Sequence, residues 1–97
     1  MLYVVNNVSL LLKPGLKPGK YWVYARQISR EQAIALLKTT DFVVGDEVTA
    51  STLSDLLGVQ VANKAQVELG VGDEELVVKV NRKGYDFWWF SIGPALS

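Results

Sequence analysis

The residues of this 97-residue chain that could do chemistry are most easily defined by two that are missing. There is no His, which removes the commonest general acid/base, the commonest zinc ligand and every Ser-His triad. There is no Cys, so disulfides, thiolate metal sites and thiol nucleophiles are absent. Cationic side chains and carboxylates remain. Lys13, Lys17 and Lys20 sit in a duplicated Leu-Lys-Pro-Gly stretch and could funnel a phosphate-bearing ligand, or simply be solvated. Gly45-Asp46-Glu47 opens a helix, whose free N–H groups form an anion site. Two carboxylates there compete with an incoming anion, so the plainer reading is an acid capping its own helix.

Asp73, Glu74 and Glu75 could hold a divalent cation, but no regular metal-loop spacing supports this, and a solvated hairpin turn is the simpler expectation. Arg26, Lys64, Arg82 and Lys83 fall at strand edges, pointing into a shared pocket or into water. Trp88 and Trp89 read as core or interface, with base stacking as the alternative.

The elements that must position these groups follow from periodicity and turn chemistry. Leu2 to Val5 is an apolar, β-branched strand, and Tyr21 to Arg26 is a second. Ser29 caps a helix, with Gln32 completing a capping box and Ile28 and Ala33 forming a staple. Its stripe of Ala33, Ile34, Leu36 and Leu37 faces the core. Phe42 to Val44 is a short strand. A second helix follows from Asp46, with Ala50, Leu53, Leu56 and Leu57 inward and Gly58 as a left-handed cap. Gln66 to Leu69 and Leu76 to Asn81 read as strands joined through Gly70-Val71-Gly72-Asp73. Tyr85 to Ile92 is the last strand, apolar on both faces and so expected to be covered on both, by helices or by another subunit.

The expectation is therefore an α+β domain over residues 1–97. It has a mixed sheet of about five to six strands and two helices, in the order ββαβαβββ. Lys plus Arg and Asp plus Glu are both 10, and this zero net charge argues against a generic DNA or RNA coat. Near-neutrality with a mean hydropathy of +0.18 favours self-association. No segment reads as a signal peptide or a membrane span, so the cytosol is the expected compartment.

At Asn6-Asn7-Val8-Ser9 and Gly45-Asp46-Glu47-Val48-Thr49-Ala50 the chain resembles the small viral ring nucleases that act as anti-CRISPR proteins against type III systems. Leu56-Leu57-Gly58, Asn63-Lys64 and Gly72 to Val78 continue the resemblance in the same order, over about residues 2 to 83. The resemblance implies an α+β homodimer that binds cyclic tetra-adenylate in a pocket across its two-fold axis. It also implies metal-free cleavage, with in-line attack by a ribose 2′-hydroxyl and a His as general acid. Carried onto this chain, it implies ligand contacts from Asn7, Ser9, Gly45, Thr49, Lys64, Arg82 and Lys83, with no cofactor and no metal.

Departures from the pattern are chemically specific. The family His falls on Asp46, and an aspartate is ionised at neutral pH, so it is a poor proton donor and repels phosphate. Lys64 replaces an Arg and loses bidentate phosphate contact. The segment after Lys83 is too short for the helix that helps close the family's pocket. The expected function is sequestration of a cyclic oligonucleotide by a cytoplasmic homodimer that binds neither duplex DNA nor membrane. The alternatives are a weak metal-independent ring nuclease that relies on Asp46 or water, and a protein-interaction module on the same fold.

Overall fold

The computed structural model describes residues 1–7, 16, 20–62 and 68–96, with the backbone alone for Glu47, Ala95 and Leu96. Strands β1 (Leu2–Val5) and β2 (Lys20–Ile28) precede helix α1 (Arg30–Thr39). Strand β3 (Phe42–Val44), helix α2 (Glu47–Leu57) and strands β4 (Glu74–Asn81) and β5 (Gly84–Leu96) follow. The five strands form one mixed sheet in the order β2-β5-β4-β1-β3. β1 is parallel to β3 and β4, while β5 is antiparallel to β4 and β2. Four strands therefore point one way, and β5 alone runs back.

This topology gathers particular chain ends. The C-terminal ends of β1, β2, β3 and β4 all emerge at one end of the sheet. Both helices start there, because α1 follows β2 and α2 follows β3 without a long connection. Crevices at the carboxyl ends of parallel strands are where ligands bind in open α/β sheets.

Local chemistry explains each helix start. The Ser29 Oγ accepts from the Gln32 N–H at 3.1 Å, and the Gln32 Oε1 accepts from the Ser29 N–H at 2.9 Å, closing the capping box. Gly58 ends α2 with φ 70, a left-handed conformation that a Cβ disfavours, and its N–H donates to the Ser54 carbonyl. Ile28, Ala33 and Leu37 of β2 and α1 join Leu2, Val4, Val44, Leu53, Leu76, Val78 and Phe87 in the main core, between the helices and one sheet face. Leu36 packs against its edge, while Ile34 is only half-buried. A smaller cluster of Val5, Leu69, Val77 and Ile92, with Tyr3, Tyr21 and Phe90 against it, lies on the opposite face.

Three sequence expectations change. The strand expected over Gln66 to Leu69 lies partly outside the described residues, Glu68 is not in a strand, and Leu69 contributes one isolated bridge. The observed order among the described residues is accordingly ββαβαββ. The Gly70–Asp73 turn is present, with the Asp73 N–H donating to the Gly70 carbonyl at 3.0 Å. The last strand is longer than expected and only partly covered on its second face: Phe87 is buried on the first, while on the second Ile92 is buried and Trp88 is 37% exposed.

The acidic run is not a solvated turn. Asp73 accepts from the N-terminal ammonium at 3.2 Å and from the Gly70 N–H at 2.8 Å. Glu74 accepts from the Trp89 indole N–H, and Glu75 is fully buried. Strand alternation sends Glu74 and Glu75 to opposite faces, so the three carboxylates cannot converge on one cation. Among the described residues no group of acidic side chains could hold a metal ion.

Candidate functional site

Six of the eight residues singled out by sequence lie on segments that meet at the strand-end rim: Asn7 after β1, Gly45 and Asp46 after β3, Thr49 in the first turn of α2, and Arg82 and Lys83 between β4 and β5. Ser9 and Lys64 lie outside the described residues, as do Lys13 and Lys17.

Asp46 is the hub of this rim. As the N-cap of α2 it takes extended dihedrals, and one carboxylate oxygen accepts from the Thr49 N–H at 2.7 Å. The other accepts from the Thr49 hydroxyl at 2.9 Å and from the Asn6 N–H at 3.1 Å. These three bonds tie the end of β1 to the start of α2. They also place a negative charge at the positive end of the helix dipole. The capping role is therefore the one observed. Because the carboxylate occupies the N–H groups a phosphate would use, α2 brings its own anion to this position.

Thr49 is 1% exposed and its hydroxyl is spent on Asp46, so it braces the turn from inside. Gly45 donates its N–H to the Val4 carbonyl at 2.9 Å, extending the β1–β3 ladder. Asn7 is exposed and donates from Nδ2 to the Asn6 side chain at 3.4 Å.

Arg82 and Lys83 form the two-residue tip of the β4–β5 hairpin, between the paired Asn81 and Gly84. Gly84 takes φ 136, a value that side chains with a Cβ rarely adopt, and the Lys83 N–H donates to Asn81 Oδ1 at 2.8 Å. Val5 of β1 pairs with Val77, so the hairpin overhangs β1 by Val78 to Asn81, roughly 13 Å at about 3.3 Å per residue. Both cationic side chains are exposed at that overhang.

Between the overhang and α2 lies a crevice of about 280 Å³ lined by Asn6, Asn7, Val48, Thr49, Thr52, Val78, Lys79 and Val80. Asn6, Thr52, Lys79 and Val80 escaped the sequence reading. Helical spacing after Thr49 carried a signal for Thr52, and strand alternation along β4 sets Val80 with Val78 on the crevice side and turns the Lys79 side chain away, but only the β1–β4 register shows that these stretches meet. The crevice offers side-chain amides beside exposed apolar Val48 and Val80, while strand alternation turns the Lys79 side chain to the opposite sheet face with Val77. The amides and the apolar pair suit a ligand with a polar part and a planar apolar part.

A larger concavity of about 540 Å³ opens between the C-terminal ends of both helices, lined by Leu37, Lys38, Phe42, Leu57 and Val61 among the described residues. None of the six described site residues lines it. Arg26 belongs to neither opening, since its guanidinium lies 5.2 Å over the Trp89 ring on the outer part of the sheet. No helix among the described residues is long and apolar enough to cross a membrane.

Residues 2–86 match the STIV B116-like family model. The chain belongs to the STIV B116-like family. A relative, "Uncharacterized protein 26" of the Sulfolobus islandicus filamentous virus (isolate Iceland/Hveragerdi), is 31% identical over 111 residues, covering 95% of this chain and 92% of its own length. The fold is similar to that of B116 of Sulfolobus turreted icosahedral virus, with a TM-score of 0.67 at 14% identity, over 93% of this chain and 97% of that one. The family's members here come from archaeal viruses, and the five-stranded α+β fold is shared across low identity.

Proposed function

We propose that this member of the family binds a cyclic oligonucleotide second messenger of the oligoadenylate class, as a homodimer in the host cytoplasm, and sequesters it from host antiviral signalling. The observation that supports this reading is that Asn7 and the exposed Arg82 and Lys83 of the hairpin tip stand at the same strand-end rim, beside an apolar-flanked crevice. Phosphates would meet the exposed ammonium and guanidinium groups, and a base would lie against Val48 and Val80. At about 280 Å³ the crevice is just below the roughly 300–1,000 Å³ usual for small-ligand pockets, so it accommodates part of a ring and not a whole one.

Binding without efficient cleavage is favoured by Asp46, whose carboxylate is committed to three hydrogen bonds at the helix cap. A general acid must carry a proton to the leaving oxygen, and this group is held as an acceptor. The ring-nuclease reading would instead rest on geometry for in-line attack alone. The deciding experiment incubates the purified protein with cyclic di-, tri-, tetra- and hexa-adenylate, removes free ligand, denatures the protein and chromatographs what is released. An intact ring is expected. A linear product would make the protein an enzyme, and no retained or altered ligand from any ring would leave the interaction-module reading in its place.

A further inference from the structure

Strand alternation sets Lys20, Trp22, Tyr24, Arg26 and Ile28 of β2 on the sheet face that carries the helices. Ile28 is buried in the main core, and the four residues before it are exposed. Trp22 and Tyr24 are 51% and 58% exposed, with ring centroids 6.4 Å apart. The Arg26 guanidinium lies 5.2 Å over the Trp89 ring, and the Trp89 indole N–H donates to Glu74, which holds that ring in place. Stacking uses the flat face of a guanidinium and leaves its N–H edges to bind elsewhere. Among the described residues neither Glu31 of α1 nor Glu74 of β4 forms an ion pair with it, and β2 itself contains no acidic residue.

Where this row meets α1, Arg26 walls a hollow of about 230 Å³ with Ile28, Gln32, Ala35, Leu36 and Trp89. The hollow is smaller than the roughly 300–1,000 Å³ of sites that enclose a whole small molecule, and it suits a single aliphatic side chain. Its polar groups are donors: the guanidinium, and the NH₂ of Gln32, whose amide oxygen is already bonded to the Ser29 N–H. Donors and apolar walls this close together fit a group that carries a carboxylate and an aliphatic side chain on one carbon. The last residue of a polypeptide is such a group. An internal Asp or Glu is not, because its carboxylate is its side chain.

We propose that this hollow captures the free C-terminus of a partner protein that ends in an aliphatic residue. The terminal carboxylate pairs with the N–H fork of Arg26, the last side chain enters between Ile28, Ala35, Leu36 and Trp89, and the preceding residues lie across the rings of Tyr24 and Trp22. With Lys20 and Arg26 as its only charges, β2 is electrostatically complementary to an anionic chain end. The hollow shares no residue with the crevice at the strand-end rim, so it stands or falls apart from the cyclic ligand.

Heteronuclear NMR on the intact protein reads the site through the Trp89 indole N–H and the Arg26 Nε–H. Glycine-serine hexapeptides ending in a free Leu or Val are expected to shift both signals. Their C-terminal amides are expected to bind at least about tenfold more weakly, because a neutral amide forfeits the charge-assisted pair. Arg26→Gln should bring the same loss for the free acids. Ala35→Leu, at an exposed helical position that tolerates Leu, should fill the hollow and abolish the shifts with unchanged circular dichroism. Equal affinity for acid and amide, no shift with either free acid, or full binding by Ala35→Leu would each overturn the proposal. So would octanoate or an oligothymidylate that saturates the same signals at lower concentration than the peptides, since the hollow would then belong to a small carboxylate or to nucleic acid. Should Arg26→Gln fail to fold, the comparison of acid and amide on the unsubstituted chain decides alone.

Discussion

Asp46 shows how one side chain can trade chemistry for architecture. Its carboxylate holds two backbone N–H groups and one hydroxyl that would otherwise lack partners near a buried turn. Asp46→Ala is expected to cost about 1–2 kcal/mol in urea denaturation, the usual loss for an N-cap. Asp46→Asn should cost less, because its amide oxygen still caps the helix. Arg82 is the opposite case, an exposed group at the hairpin tip whose removal leaves packing intact. Under the proposed function, Arg82→Glu should weaken binding of the cyclic ligand at least about tenfold by isothermal titration, through charge reversal against phosphate, with no change in melting temperature.

At the scale of elements, α2 is anchored by Leu53, which is 0% exposed and sits among Val4, Val44 and Leu76 in the main cluster. Leu53→Ala is expected to lose about 2–5 kcal/mol by chemical denaturation, from lost burial and the cavity left behind. Because α2 carries Thr49 and Thr52, ligand affinity should fall with it. On the outer strands, a Cβ at Gly93 would lie 3.2 Å from Trp22 Cβ and 3.4 Å from Tyr24. Gly93→Ala should therefore push the start of β2 outward, at a cost of about 1 kcal/mol. The capping box of α1, the left-handed end of α2 and the inward faces of both helices were legible in the sequence, since each depends on residues within a few positions of one another. The length and cover of β5 were not. Its aromatic residues read as buried on both sides, but the second face is left part-open by the element arrangement and not by any local pattern.

For the whole molecule, charge is balanced overall but unevenly placed. The positive groups at the hairpin tip face solvent at the rim beside the crevice, and Asp46 supplies the negative charge within the rim. If phosphates contact these exposed cations, binding should weaken as salt rises toward and past physiological ionic strength, where the screening length shrinks to about 8 Å and below. A salt-independent affinity measured by titration at several ionic strengths would place the phosphates away from Arg82 and Lys83.

The sequence by itself determined the local and compositional part of this protein. The lack of His and Cys closed whole classes of catalysis, and the cap residues fixed where both helices begin. The order of short motifs pointed to a viral family, and the STIV B116-like match bears out the viral part of that resemblance. Tertiary structure decided what depends on distant pairing. It placed β1 between β3 and β4, ran β5 against its neighbours, and so brought Asn6, Thr52 and Val80 to one crevice from three separate stretches of chain. It joined the Asp46 cap to the Asn6 N–H at the end of β1, and it sent Glu75 into the interior. Such outcomes follow from sheet register, which is set by the summed packing of many side chains and is not carried by any one segment.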